Sequence, residues 1–424
     1  MAALKRLEDL GAQKVGDWHE RPAFAKVDVA ACKVVHERRL TAVAWSAAGG
    51  AFAAASEDKT ASLWALDPRG GSGGGGGGAA RETARLRGHH DHVCGVRWDP
   101  ANEAVLATAS LDKSVRLWDA RTGKQAASVE LGAELAGVEW SPNGQRLIVF
   151  ADQANRSGDT LLFVLDARMP ASARARRTAK YPHAVNALAF APAGGHVFVA
   201  SARTSRETGL THGTVDVLEF TPGGDHAPPV LRAARSLLAH PSPVQALAVT
   251  PHGGGLLASG GDDCLAQLWG LRDLACARGV THLPSPICAL AFSHDGAYLA
   301  TAMTGASVTV SSAATGEFLH KNEVVQQMPT NDTDIMWDRT VATSVAWHPS
   351  RHILLAALDR DAYRREPMVV SADSVAGGGG GDGGGYRGGG GNRYGGGGSA
   401  TVTIPGSNGM PHNLVRIMTF GALR

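Results

Sequence analysis

The chain of 424 residues lacks a strong charge of either sign: 41 Lys and Arg face 39 Asp and Glu, a formal net charge of +2. A surface that binds nucleic acid by bulk electrostatics is therefore not expected. Cysteine is scarce. The five residues, Cys32, Cys94, Cys264, Cys276 and Cys288, are odd in number and contain no CxxC pair. That removes both a disulfide framework and a cysteine zinc site, and reads as mostly small buried hydrophobes in a reducing compartment. No apolar run approaches the ~20 residues of a membrane span. The first residues, MAALKRLEDLGAQ, carry charge where a secretory leader needs an apolar core. No phosphate-cradling loop, HExxH helix or nucleophile elbow is present. The expectation is a chain that is not an enzyme, with no catalytic residue, cofactor or metal.

What the chain does have is repetition, against a background of 44% apolar residues and 54 glycines. An apolar stretch ends in Trp, Phe or Val, a turn rich in Pro, Gly, Asn or Asp follows, and a second apolar run comes next. The seven copies are anchored at Trp45, Trp98, Trp140, Phe190, Val249, Phe292 and Trp347, with gaps of 53, 42, 50, 59, 43 and 55 residues. Each copy reads as two strands joined by a tight turn. A third strand follows at ASLWALD (61–67), SVRLWDA (114–120) and LAQLWGL (265–271). A period near 40–45 residues is that of a propeller blade, a sheet that buries both faces only by radial stacking. The fold class is thus all-β, a seven-bladed propeller of the WD-repeat type.

A polar pattern recurs in phase. Nine residues before Trp45, Trp98 and Val249 stand His36, His89 and His240; six before Trp64, Trp118 and Trp269 stand Asp58, Asp112 and Asp263. Thr108 and Ser259 lie four before the second and third of those Asp residues. Two full tetrads result: His89, Thr108, Asp112, Trp118 and His240, Ser259, Asp263, Trp269. A buried chain in which each polar group satisfies the next is tolerable. Recurrence at fixed phase argues for structure over a hydrolase triad. Unit one has Ala54 at the hydroxyl position and reads as partial; units three, four, six and seven lack most of the set.

The organisation follows. Residues 1–30 are an N-terminal extension and 31–424 the propeller. CKVVHE (32–37) is expected as the outer strand of the last blade, pairing with NLVRIMTF (413–420) to remove an open edge. A glycine linker at 70–78 joins units one and two, and a Gly/Arg-rich insertion at about 371–412 interrupts unit seven and is expected to be disordered. Within it Arg387 and Arg393, near Tyr386 and Tyr394, resemble a minimal RGG element for RNA stacking. Arg168, Arg174, Arg176, Arg177 and Lys180 form a basic loop between units three and four, suited to phosphate contact or nuclear import.

Several segments resemble one family: SEDKTASLW (56–64), ATASLDKSVRLWDARTGK (107–124), VEWSPNGQ (138–145), CALAFSHDGAYLATA (288–302) and SVAWHPSRHILLAALD (344–359). More specific is their combination: DKTAS closing unit one, the AH-PS step from Ala239 to Ser242, and FSHDG opening a sixth unit with no Trp-Asp ending. Together, over about 31–370 and 412–422, these resemble THO complex subunit 3, the Tex-one type. The resemblance implies a scaffold in the THO core of the transcription–export assembly, nuclear, acting in messenger-RNA packaging, processing and export. It implies other THO subunits as direct partners, an RNA helicase and export adaptors as indirect ones, and RNA contact that is weak or indirect, with no membrane and no small-molecule substrate. The chain departs from the family at both glycine tracts, at SARTSRETGLTHG (201–213), which is expected to lengthen a loop, and at 324–339. A reading from another class remains open. Trp118-Asp119-Ala120-Arg121 matches the WDxR pattern of substrate receptors for cullin-type ubiquitin ligases, with Trp118, Asp119 and Arg121 as the adaptor contact. A peptide or histone-tail reader at the channel mouth is a third.

Overall fold

The computed structural model describes residues 22–33, 36–66, 80–151, 159–168, 176–204, 209–223, 229–251, 255–305, 307–323, 340–360 and 413–422. The chain divides into two compact units, residues 1–360 with 411–424, and residues 361–410. Described residues occur in the first only.

Strand β1 is Pro22–Lys33. Blade 1 follows with β2 (Leu40–Trp45), β3 (Ala51–Ser56), β4 (Thr60–Leu66) and β5 (Ala80–Arg87). Blade 2 is β6 (Val93–Trp98), β7 (Val105–Ser110), β8 (Ser114–Asp119) and β9 (Lys124–Glu130). Blade 3 is β10 (Leu135–Trp140), β11 (Arg146–Ala151), β12 (Thr160–Asp166) and β13 (Arg176–Tyr181). Blade 4 is β14 (Ala184–Phe190), β15 (His196–Thr204), β16 (Thr211–Thr221) and β17 (Val230–His240). Blade 5 is β18 (Val244–Val249), β19 (Leu256–Gly261), β20 (Ala266–Gly270) and β21 (Cys276–Val280). Blade 6 is β22 (Ile287–Phe292), β23 (Tyr298–Met303), β24 (Ser307–Ser312) and β25 (Phe318–Glu323). Blade 7 takes β26 (Thr340–Trp347), β27 (Ile353–Arg360) and β28 (Asn413–Ala422), and its fourth strand is β1. The first strand of each blade touches the first strand of the next, and β26 returns to β2, so the seven sheets close into a ring.

The inner strands of the blades are largely apolar, and their packing shows why. In β3, Phe52 and Ala54 pack toward blade 7 while Ala53 and Ala55 pack toward blade 2. Alternate side chains point to opposite faces, and here both faces are covered. The hydrophobic core is accordingly seven clusters, each straddling two consecutive blades. The cluster across the closing seam joins Leu40, Val43, Trp45 and Phe52 of blade 1 to Leu355, Ala357, Val415 and Ile417 of blade 7.

The clasp forms with different bounds from those expected. The closing strand is β1, Pro22–Lys33, so only Cys32 and Lys33 of the CKVVHE segment belong to it. Cys32 pairs with Val415 and Val29 with Met418. The sequence pattern misleads because His36, within that segment, belongs to the polar chain of blade 1 and not to the strand. Among the cysteines only Cys32 is buried; Cys276 is exposed, and Cys94, Cys264 and Cys288 are half-buried. They lie at strand ends and on outer or turn positions, where the blades do not cover them. The 201–213 segment does not simply lengthen a loop: β15 and β16 continue their pairing out to Arg203↔His212 and Thr204↔Thr211. The glycine linker at 70–78 and the insertion at 371–412 lie outside the described residues.

Candidate functional site

The polar residues of three blades assemble into relays. In blade 2, Trp118 Nε1–H donates to Thr108 Oγ1 at 2.8 Å, Thr108 Oγ1 meets His89 Nε2 at 2.7 Å, and His89 Nδ1 meets Asp112 Oδ2 at 2.8 Å. One arrangement satisfies every donor in the chain: the threonine hydroxyl accepts from Trp118 and gives its own hydrogen to His89 Nε2, and Nδ1–H goes to the carboxylate. A second proton on His89 would leave that hydroxyl hydrogen without an acceptor in the chain. Burial likewise drives the His89 pKa down, against the pull of Asp112. In blade 5 the same atoms connect Trp269, Ser259, His240 and Asp263 at 2.9, 2.8 and 2.8 Å.

Each aspartate does a second job. Asp112 Oδ1 accepts the Ser114 N–H at 3.0 Å, and Asp263 Oδ1 accepts the Leu265 N–H at 3.2 Å. The carboxylate thus folds the turn between the second and third strands while holding the histidine. The residue after each aspartate takes a left-handed backbone: Lys59 (φ 72°), Lys113 (φ 70°) and Cys264 (φ 62°). Burial opposes ionisation of Asp112, but hydrogen bonds from His89, Ser114 and the His90 N–H outweigh it and hold the carboxyl well below the usual range. The same balance, with His36 and Thr60 as donors, leaves Asp58 at about 2.

Blade 1 is complete, contrary to the expectation of a partial set. Trp64 Nε1–H donates to Ser62 Oγ at 2.8 Å, Ser62 meets His36 Nε2 at 2.9 Å, and His36 Nδ1 meets Asp58 at 2.6 Å. The hydroxyl comes from β4 instead of β3. Blade 4, expected to lack most of the set, carries a variant. Tyr181, nine residues before Phe190, occupies the histidine phase, and its hydroxyl bonds Asp216 Oδ2. Arg203 Nη2 reaches the same carboxylate at 2.9 Å. A phase count that allowed Tyr for His would have found it. In blades 3 and 6 the histidine phase holds Leu131 and Leu283, both buried, so apolar packing replaces the relay.

The turns after the innermost strands form the opposite construction. The residue following the anchor accepts a loop N–H in most blades: Ser46 from Ala51, Asp99 from Ala101, Ser141 from Arg146, Thr250 from Leu256, Ser293 from Tyr298 and His348 from Ser350. Anchor tryptophans tie neighbours together, Trp45 Nε1–H to Ala346 O and Trp140 Nε1–H to Arg97 O, each at 3.1 Å. An open pocket of about 270 Å³ lies here across blades 5 to 7, lined by Val249, Pro251, Phe292, His294, Trp347, His348 and Pro349. Apolar side chains and two imidazoles share its lining.

The remaining candidates are dispersed. Arg176, Arg177 and Lys180 stand on the outer strand β13, opposite Leu165, Val164 and Leu161, and so do not belong to a loop. Arg168 is exposed and forks onto Asp166 at 3.1 and 2.8 Å. Arg174, Arg387 and Arg393 lie outside the described residues. Arg121 has a side chain 77% exposed, held by Asp119 at 3.4 Å, and its backbone N–H donates to the same carboxylate at 2.9 Å. Asp166 and Arg168 repeat that arrangement one blade on, which makes Asp-Ala-Arg a turn-building device of this chain. Trp118 is buried within its relay.

A model of the WD domain, G-beta repeat, matches residues 32–65, 80–119 and 232–270, the segments that carry the three histidine relays. THO complex subunit 3 of Arabidopsis thaliana is 32% identical over 324 residues, covering 76% of this chain and 88% of that protein. WD repeat-containing protein AAC3 of Dictyostelium discoideum is 26% identical over 270 residues, 61% of this chain and 52% of that protein. Eukaryotic translation initiation factor 3 subunit I of Scheffersomyces stipitis matches only 28% of this chain, at 31% identity. Short matches of the last kind follow from shared blades, whereas the match to the Arabidopsis protein runs through 88% of its length. The chain belongs to the THO complex subunit 3 family of WD-repeat proteins.

Proposed function

We propose that this chain is a non-enzymatic scaffold subunit of a nuclear THO complex, acting in messenger-RNA packaging, processing and export. The observation that carries the reading is the match to THO complex subunit 3 across 88% of that protein. The chemistry of the ring supports it. Its buried histidines and aspartates in blades 1, 2 and 5 are bonded to one another and to tryptophan, and their hydroxyls are consumed as links. A rigid ring with several separate surfaces is suited to hold partners in fixed positions. Direct partners are other THO subunits, and an RNA helicase and export adaptors associate through them.

Direct RNA affinity is weak in this reading. The net charge is +2, and Arg168 spends its guanidinium on Asp166. Phosphate binding needs several uncommitted cations on one face. Tagging the chain in its own cells and purifying from nuclear extract tests the proposal. Recovery of the large THO subunits at near-equal amounts supports it. Recovery of a cullin-ligase adaptor without THO subunits, or salt-resistant RNA binding by the isolated chain, overturns it.

A further inference from the structure

The seven turns that follow the innermost strands provide an internal comparison. Two residues after the anchor stand Ala47, Pro100, Pro142, Pro192, Pro251, His294 and Pro349. Proline suits this position, because it presets the backbone for the second residue of a tight turn. Blade 6 makes the same turn as blade 3: Gly296 N–H donates to Ser293 O at 2.8 Å, as Gly144 N–H does to Ser141 O at 2.9 Å. The turn therefore does not require His294. Five residues after the anchor stand Gly50, Glu103, Gln145, Gly195, Gly254, Ala297 and His352. Again the histidine is peculiar to one blade.

These two departures from the repeat meet in space. The rings of His294 and His352 lie 4.7 Å apart at 58°. His352 Nε2 is 2.9 Å from Asp295 Oδ2. One ligand atom from each of His294, Asp295 and His352 falls within 4.8 Å of the others, and all three residues are half-buried. We infer that His294, Asp295 and His352 form a binding site for one borderline divalent transition-metal ion of the Zn²⁺ type, bridging blades 6 and 7.

The chemistry fits that class. Two imidazoles and a carboxylate select zinc-like ions over Mg²⁺ or Ca²⁺, which take oxygen ligands. Two ligand atoms at ~2.0–2.1 Å from a tetrahedral zinc stand about 3.3 Å apart. The His352–Asp295 pair is close to that spacing already, and the ligand atom of His294 lies within 4.8 Å of both. Asp295 is oriented from behind: its Oδ1 accepts from Ser293 Oγ at 2.5 Å and from the Ala297 N–H at 3.1 Å. Such second hydrogen bonds hold a ligating carboxylate in place. The neighbouring His348 is not a ligand, because its Nε2 is bonded to Gly49 O at 3.1 Å and its Nδ1 accepts the Ser350 N–H. Three protein ligands leave a position open beside the pocket that His294 helps to line.

The test uses the full chain without a histidine tag, titrated with ZnCl₂ by calorimetry and with CoCl₂ by visible absorption. The expected result is one equivalent bound, Co²⁺ ligand-field bands, and a melting temperature that rises with Zn²⁺. His294→Pro restores the residue that five other blades carry at that phase, and it leaves the His352–Asp295 bond in place. It is expected to fold as well as the parent and to lose at least about tenfold in Zn²⁺ affinity. His352→Ala should lose the Co²⁺ bands as well, and if its melting curve shows misfolding, His294→Pro decides alone. Unchanged Zn²⁺ affinity in His294→Pro, or no stoichiometric binding by the parent, overturns the site and leaves the trio as a turn brace.

Discussion

Ala54 and Ser62 face each other across β3 and β4, and Ser62 supplies the hydroxyl that Ala54 lacks. In blades 2 and 5 the hydroxyl sits on the earlier strand, at Thr108 and Ser259, opposite Arg116 and Gln267. The relay needs an oxygen at one point between the tryptophan and the histidine. Either of two cross-strand neighbours can place it there.

That equivalence predicts a rescue. Ser62→Ala removes the hydroxyl that links Trp64 Nε1 to His36 Nε2, at a cost of about 1–3 kcal/mol. Adding Ala54→Ser to Ser62→Ala moves the hydroxyl to the strand used in blades 2 and 5 and should recover much of the loss. Urea midpoints of the parent, single and double variants check this. A double variant no more stable than Ser62→Ala would show that the two positions are not interchangeable.

Acid should weaken the ring through its aspartates. Asp58 titrates at about 2 in the folded chain, below the ~3.9 of an unfolded aspartate. A depressed carboxyl stabilises the fold above the unfolded value, and that contribution is lost as pH falls from about 4 toward 2. Asp112 is held low in the same way, and burial lowers the His89 pKa, so protonation of His89 below about 6.5 also favours the unfolded chain. Stability measured by denaturant from pH 7 to pH 3 is expected to fall. Asp58→Asn is expected to be less stable at pH 7 and to show a shallower fall.

The left-handed turn residues mark places where stability can be gained. Lys113 sits at φ 70°, a conformation that side chains with a Cβ adopt at a cost. Lys113→Gly is expected to raise stability by up to about 1 kcal/mol, with glycine's greater unfolded-state entropy offsetting part of the relief. Lys113→Val should lower it. Thermal melts of the pair, and of Cys264→Gly in blade 5, measure the difference.

The long insertion of blade 7 should be replaceable. β27 and β28 pair up to Asp359↔Asn413, so the strand ends flanking it stand side by side. Replacing residues 361–412 with a short Gly-Ser turn shortens the connection between these strands, and the cost of closing a connection changes only slowly with its length. The melting temperature is expected to stay within a few degrees of the parent. A molten or insoluble product would contradict the pairing.

The repeat phase alone determined the blade count, the anchor positions and two of the relays, because those depend on residues at fixed distances along one strand or one hairpin. The family, too, was legible in a combination of phrases: DKTAS closing unit one, the step from Ala239 to Ser242, and FSHDG opening unit six. Tertiary structure decided what depends on neighbours across strands or across blades. Ser62 was invisible as a relay member because its position is equivalent to Ala54 only in the pairing of β3 with β4. The closing strand was placed ten residues too late at its start, since β1 pairs with β28, whose partner choice leaves no local pattern. The ion pairs of Arg121 with Asp119 and of Arg168 with Asp166 depend on the folded turns that bring the side chains together. His294 and His352 are 58 residues apart in different repeats and share a site only because the ring sets blade 6 against blade 7. Local spacing encodes a blade; the radial packing of one blade on the next creates every contact between them.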